Sequence, residues 1–206
     1  HFNDSDILGS HMLGICQEII QRKLKIIFHG QCRIQKEGTL EFYQTLKAAG
    51  CYQLAFGVDG WSNQVAKLQN KGYLMETMAE NLHNCHKAGV RTAANMVIGV
   101  PGETDQDVTD CINTIISVKD DLDALQNLNL LSLFIGSEYW KNPEKYGIRF
   151  KGDLADIIAK NHYFIPADMW WSVGPFINQD IRVARRLRIY EAIKLAGVHL
   201  PDYAEW

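Results

Sequence analysis

The chain has 206 residues, 47% hydrophobic and 22% charged, with a formal net charge of −3 at neutral pH. That balance excludes a disordered chain, and the lack of a basic excess excludes an electrostatic nucleic-acid binder. No apolar run approaches the ~18 residues of a membrane span, and the first residues carry neither a basic stretch nor an apolar one of the secretory type. With five widely spaced cysteines, neither paired nor in CxxC spacing, the expectation is a reduced, cytoplasmic protein with no membrane partner.

In chain order, Phe2 reads as the end of a strand and Met12 to Arg22 as a helix. Lys25 to Phe28 reads as a short apolar strand. Thr39 to Ala49 has helical periodicity and stops at Gly50, which suits a left-handed C-terminal cap. Cys51 to Val58 is then a buried strand. The unit repeats: Met75 to Ala88 is helical, stops at Gly89, and leads into a strand over Arg91 to Val100. Asp105 to Val118 is a helix, with Thr104 or Asp105 as its N-cap, and Leu128 to Ile135 a further strand. After Trp140 the breakers Pro143, Gly147, Pro166 and Gly174 interrupt the pattern, and Ile181 to Ala196 is the last helix. This divides the chain into a barrel part, 1–140, and a C-terminal extension with a capping helix, 141–206.

Strands alternating with helices predict a parallel sheet with right-handed crossovers. A doubly wound sheet and a barrel both satisfy the pattern. In either, function sits at the C-terminal ends of the strands, here Asn3-Asp4-Ser5, Gln31 to Arg33, Gly57-Val58-Asp59, Ile98 to Glu103 and Gly136-Ser137. The run Ile98-Gly99-Val100-Pro101-Gly102-Glu103-Thr104-Asp105 is the most specific, a tight turn entering a helix whose free amides favour an anion or polar ligand. No Gly-Lys-Ser/Thr follows, so it is not a phosphate loop. His83 and His86 lack a further metal ligand and read as residues of a surface helix. Arg182, Arg185, Arg186 and Arg188 read as a solvated basic face, with contact to another domain as the alternative. Trp170 and Trp171 read as packing residues.

Phe2-Asn3-Asp4-Ser5, Gly50-Cys51, Phe56 to Ser62, Lys71-Gly72, Ala88-Gly89-Val90, Ile98 to Thr104 and Asn142 to Ile148 occur in an order that strongly resembles radical S-adenosylmethionine (radical SAM) enzymes, in particular those that often carry an N-terminal cobalamin-binding domain. The resemblance covers roughly residues 1–148. It implies an α/β fold: a partial, TIM-like (β/α)6 barrel lacking its first strand and cluster loop, with an irregular helical C-terminal extension. It implies S-adenosylmethionine and a 4Fe-4S cluster as cofactors of the full-length parent, with cobalamin on an upstream domain. It also implies reductive cleavage of S-adenosylmethionine to a 5′-deoxyadenosyl radical, chemistry that belongs to the cofactor.

By the same resemblance, Asn3, Asp4 and Ser5 fall where the family's second strand contacts the methionyl amino group. Gly57, Asp59 and Ser62 fall at the fourth strand, near the ribose and methionyl end. Asn95, Val97 and Gly99, with Pro101 beyond, fall on the fifth-strand GxIxG pattern whose backbone meets adenine. Arg33, ending the third strand, points to the barrel lumen. The departures are equally specific: no CxxxCxxC occurs in the 206 residues, Asp59-Gly60 replaces the family's Glu-Ser, and Asn95 replaces the first glycine of GxIxG. The expectation is therefore the C-terminal portion of a radical SAM enzyme, inactive alone, binding no cofactor stably without the preceding segment of its polypeptide, and acting with it on a small-molecule or peptide substrate. The alternative is a degenerate barrel serving as a non-catalytic scaffold or binding module.

Overall fold

The computed structural model describes Phe2 and residues 9–200. Its centre is a four-stranded parallel sheet in the order β1 (Phe28–Cys32), β2 (Cys51–Asp59), β3 (Arg91–Ile98) and β4 (Ala124–Leu130). The strands are joined through α1 (Gly9–Gln21), α2 (Leu40–Ala48), α3 (Asn63–Leu68), α4 (Met75–Lys87) and α5 (Asp105–Ser117). Phe2 makes a parallel bridge to Gly30 at the outer edge of β1.

The two faces of the sheet differ, and that difference separates a barrel from a doubly wound sheet. Leu54, Phe56 and Val58 of β2, Ala94, Met96 and Ile98 of β3, and Leu125 and Leu128 of β4 point into one core shared with α1, α2, α4 and α5. Each such apolar side chain, fully removed from water, contributes about 1.5–3 kcal/mol. The opposite face is polar and only partly covered: Gln53, Asp59, Asn95, Asn127 and Asn129. Asn127 donates from Nδ2 to Asn95 Oδ1 at 2.9 Å across that face. Helices on one face and amides on the other make this a segment of a barrel wall whose inner surface is hydrated.

The helices end where the sequence places stops. Gly50 and Gly89 lie at φ 106° and 77°. The Thr104 hydroxyl accepts from the amide of Asp107, whose carboxylate accepts in return from the Thr104 amide, a reciprocal cap worth about 1 kcal/mol.

Two predicted strands move. Lys25–Ile27 precede the sheet, and Ile27 is 83% exposed; the ladder starts when the Phe28 amide reaches the Gly50 carbonyl. Leu128 to Ile135 divides into β4 and β5 (Leu133–Phe134), because the chain turns at Leu131–Ser132 to pair elsewhere.

Beyond β5 come α6 (Glu138–Lys141), β6 (Ile148–Phe150), α7 (Leu154–Asn161), β7 (Phe164–Ile165) and β8 (Trp170–Ser172). β5 pairs antiparallel with β7 and β6 with β8. Leu133, Ile148, Ile157, Ile165 and Trp170 form a second, small core there. The final helix, α8 (Gln179–Leu195), returns to the barrel and buries Ile189 and Ile193 in the main core.

Candidate functional site at the strand ends

α8 does not present its arginines to solvent. Arg182 and Arg185 are 0% and 7% exposed and fall on the stripe continued by Ile189 and Ile193, at helical spacing. The reading of a solvated basic face is corrected for these two. Arg182 Nε donates to the Gly99 carbonyl (3.2 Å) and Nη1 to the carbonyls of Ala167 (3.0 Å) and Trp170 (3.1 Å). Its guanidinium lies 3.6 Å above the Trp170 ring. Arg185 spans Glu103 (3.1 Å) and Asp105 (2.9 Å). Glu103 in turn accepts from the Gly99 amide at 2.8 Å. The turn Gly99 to Glu103 is thus fixed from within by one buried carboxylate and from behind by two buried arginines. Burial pushes the Glu103 carboxyl up to about 7, against the opposing pull of Arg185.

At the end of β2, the register against β3 shifts between Phe56 and Asp59, and Asp59 adopts left-handed backbone at φ 57°. That conformation is uncommon outside glycine, with Asp and Asn the tolerated exceptions. It carries the chain into Gly60 and Trp61. The Trp61 indole is fully buried and donates to the Asn95 carbonyl at 3.1 Å, tying β2's exit to β3. Lys71, just beyond α3, forms an ion pair with Asp59 and donates to the Gly57 carbonyl. Tyr73 donates its hydroxyl to the Val58 carbonyl at 2.8 Å. Burial raises the Tyr73 phenol pKa, with Asp59 adding to the rise and Arg33 opposing it. Arg33, Asp59, Lys71 and Tyr73 therefore converge on the ends of β1 and β2.

The predicted residues distribute unevenly over this surface. Asn3, Asp4 and Ser5 lie outside the described residues. Arg33 is exposed immediately after β1. Gly57 faces the lumen, and a Cβ there would meet open space. Asp59 and Val97 line a cleft of about 870 Å³ with Lys71, Leu131, Ser137 and Tyr139. Asn95 faces the lumen, its side chain held by Asn127. Gly99 and Pro101 are buried in the turn beneath α8. Ser62 is 3% exposed, and its hydroxyl N-caps α3 and donates to Asp107 at 3.4 Å. Lys71 and the buried Glu103, Arg182 and Arg185 support the strand ends; Lys71 and Glu103 stand within sequence motifs, but neither their partners nor the roles of the arginines could be read there. Lys71 stands in a motif pair without a partner in view, and the arginines look like a polar helix face.

The donor chemistry of these residues fits one of the implied cofactors and not the other. The cleft beside Asp59 offers an ammonium and a carboxylate, with the open backbone at Gly57 next to them. A zwitterionic nucleoside with amine and hydroxyl donors suits that set. A cluster does not fit. Cys16, Cys32, Cys51, Cys85 and Cys111 are all buried as free thiols. Among the described residues no group of three or more His, Cys, Asp or Glu side chains is arranged to hold a metal. His83 and His86 pair with Asp121 and Asp123 at the surface instead. No helix among them is long and apolar enough to cross a membrane.

A parallel barrel wall with cofactor-sized space at its strand ends defines a class; comparison with known proteins gives the family. The Radical SAM superfamily profile matches residues 12–115, just over half of the 206-residue chain, and the chain belongs to that superfamily. Its fold resembles the radical S-adenosylmethionine methyltransferase TsrM from Kitasatospora setae, solved with cobalamin and a 4Fe-4S cluster, at 20% identity and a TM-score of 0.59 over 70% of this chain and 31% of that one. The same enzyme with tryptophan substrate and a SAM analogue gives 19% identity and a TM-score of 0.60, over 70% of this chain and 30% of that one. The coproporphyrinogen III oxidase HemN from Escherichia coli, a radical SAM enzyme, gives 12% identity and a TM-score of 0.61, over 92% of this chain and 38% of that one. This chain thus spans about a third of the length of these enzymes. No curated protein matches it in sequence.

Proposed function

We propose that this chain is the S-adenosylmethionine-handling part of a cytoplasmic radical SAM enzyme. The observation that carries the reading is the cleft at the β2, β3 and β4 ends, where the Asp59–Lys71 pair, the open Gly57 backbone and Val97 converge. Lys71 would meet the methionyl carboxylate, a charge-assisted contact. Asp59 would accept from the ribose hydroxyls or the methionyl amine. Val97 and Leu131 give the adenine an apolar wall. Bound at a reduced 4Fe-4S cluster, S-adenosylmethionine would supply radical chemistry that belongs to the cofactor. Thiolate ligands for that cluster would come from residues outside this sequence, and on this reading the chain alone would be inactive. Asn3, Asp4 and Ser5 belong to the same reading as contacts to the methionyl amino group. TsrM binds cobalamin, and a cobalamin domain upstream is the corresponding reading here.

A second reading is favoured by one observation: Asp59 and Lys71 already satisfy each other. A wall closed on itself would serve as a scaffold or binding module without redox chemistry. Calorimetric titration with S-adenosylhomocysteine decides between the two. Unlike the expectation from sequence that no cofactor binds stably to these residues alone, the cofactor reading expects saturable binding that Lys71→Met weakens by roughly tenfold, the loss of one charged contact. No binding, or binding unaffected by Lys71→Met and Asp59→Asn, leaves the scaffold.

A further inference from the structure

Asn95 of β3 and Asn127 of β4 are register partners on the inner face of the sheet. One amide hydrogen bond joins them, Asn127 Nδ2 to Asn95 Oδ1 at 2.9 Å. That bond uses the amino group of one residue and the carbonyl oxygen of the other. It leaves Asn95 an amino group and Asn127 a carbonyl oxygen, side by side, with no further hydrogen-bond partner among the described residues. Reversing both amides exchanges the roles and still leaves one donor beside one acceptor. We infer that this pair is a substrate subsite for an uncharged carboxamide or lactam, whose adjacent acceptor and donor complement it. Its occupant is called a substrate on the cofactor reading, because Val97, the next inner-face residue of β3, lines the proposed cofactor cleft.

The two amides are held in place and reachable. Met96 and Leu128, the residues that follow them, are buried in the main core, so strand alternation turns Asn95 and Asn127 to the opposite face. The Asn95 carbonyl accepts from the buried Trp61 indole at 3.1 Å, which fixes the backbone beneath its side chain. Both asparagines are half-buried and not sealed. On the neighbouring strand Ala55 pairs with Ala93 and Asp59 with Met96, which sets Gly57 beside Asn95. A Cβ at Gly57 would meet nothing within 4 Å. With Ala55 before it, Gly57 gives β2 a low, open floor over which a small ring can lie while its edge meets the amides.

The pair selects by what it would leave unpaired. A carboxylate can accept from the Asn95 amino group but sets an anion against the Asn127 carbonyl. An ammonium satisfies that carbonyl and opposes the amino group. An ester accepts and has no donor to return. A primary amide or a lactam satisfies both groups at once, and a site built to exchange two hydrogen bonds rejects an analogue that lacks one of them. The nearest charges on the rim, Asp59 and Lys71, already pair with each other.

The test titrates the chain with nicotinamide, 2-pyridone, methyl nicotinate and nicotinate by ligand-observed NMR, with S-adenosylhomocysteine on the same samples. The expected result is that nicotinamide or 2-pyridone binds, that methyl nicotinate binds roughly tenfold more weakly, and that nicotinate is no tighter than the ester. Asn127→Leu should raise the Kd of the binding amide roughly tenfold; the ligand comparison on the unaltered chain decides alone if that variant does not fold. The amide should still bind at saturating S-adenosylhomocysteine. Failure of both amides to bind, equal affinity for the ester, tighter binding of nicotinate, or an unchanged Kd in folded Asn127→Leu overturns the subsite. Displacement of the amide by S-adenosylhomocysteine would assign the pair to the adenine edge of the cofactor and overturns the substrate role. If S-adenosylhomocysteine binds and the amides do not, the subsite falls and the cofactor reading stands; if the amides bind as described and S-adenosylhomocysteine does not, the amide site stands and the cofactor reading falls.

Discussion

Gly99 sits against the stem of Arg182 so closely that a Cβ at Gly99 would come within 2.3 Å of Arg182 Cγ. Two constraints coincide there, since Gly99 also holds φ 82°, which L side chains rarely adopt. Gly99→Ala should cost about 1–3 kcal/mol each for the backbone strain and for the overpacking. A drop in the urea midpoint by that combined amount, at unchanged slope, is the expected result. A loss below about 0.5 kcal/mol, the ordinary scatter of surface changes, would show that α8 gives way and that the contact does not fix the turn.

Glu103 makes the same turn sensitive to pH. Burial raises its carboxyl from 4.5 to about 7 in the folded chain. A raised folded-state pKa means that the folded protein holds the proton more tightly than the unfolded one. The contribution to stability is therefore complete below about 4.5 and is lost as pH rises through 7. Glu103→Gln removes that dependence. Between pH 5 and 8 the wild-type chain should lose on the order of 2 kcal/mol more stability than Glu103→Gln. Parallel curves for the two proteins over that window would mean that Arg185 keeps Glu103 ionised throughout.

Removing Arg185 tests the pair from the other side. Arg185→Met leaves Glu103 buried at 1% side-chain exposure without its cation, which drives its carboxyl further towards the neutral form and leaves it short of a hydrogen-bond donor, a loss of about 1–3 kcal/mol. Adding Glu103→Gln supplies a permanently neutral amide and should recover part of it. A double-mutant cycle by urea unfolding is expected to give a coupling of about 1–3 kcal/mol. Additivity within about 0.5 kcal/mol would place the worth of Arg185 in Asp105, which is 82% exposed, and in packing alone.

What could be read beforehand, and what could not, follows from how local each cause is. Gly50, Gly89 and Thr104 act within one helical turn, and the predicted stops and cap agree with the structure. The identity of the inner face was not local. Cys51 to Val58 is apolar but for Gln53, too weak a signal alone, and the neighbouring amides Asn95, Asn127 and Asn129 are needed to show which side of the sheet is polar. Lys25–Ile27 has the composition of a strand, yet pairing is set by where Gly50 meets Phe28. The arginines of α8 were the least legible: Arg182 and Arg185 occupy the helical stripe of Ile189 and Ile193, but a buried guanidinium has the same letter as an exposed one. Its burial depends on carbonyls and carboxylates about 12 to 83 positions away. The site residues inherited this limit, since Asp59 and Lys71 meet only after α3 brings the chain back.

The cysteines give the last prediction, because their burial bears directly on the chemistry of the family. Cluster ligation needs thiolates. Burial pushes the thiol of Cys16 up to about 11 and those of Cys51 and Cys111 to about 12, and Cys85 rises as well. All five should resist a thiol reagent such as Ellman's in the folded chain at neutral pH and react together in guanidinium. Reconstitution of the folded chain with ferrous iron and sulfide should leave no cysteine-ligated cluster after desalting. A stable four-iron spectrum would mean that the core reorganises to bring thiolates together, which would overturn the assignment of these cysteines as packing residues. Unreactive thiols together with binding of S-adenosylhomocysteine would instead separate the two halves of the cofactor machinery, with the nucleoside held on these strand ends and the iron held elsewhere in the polypeptide.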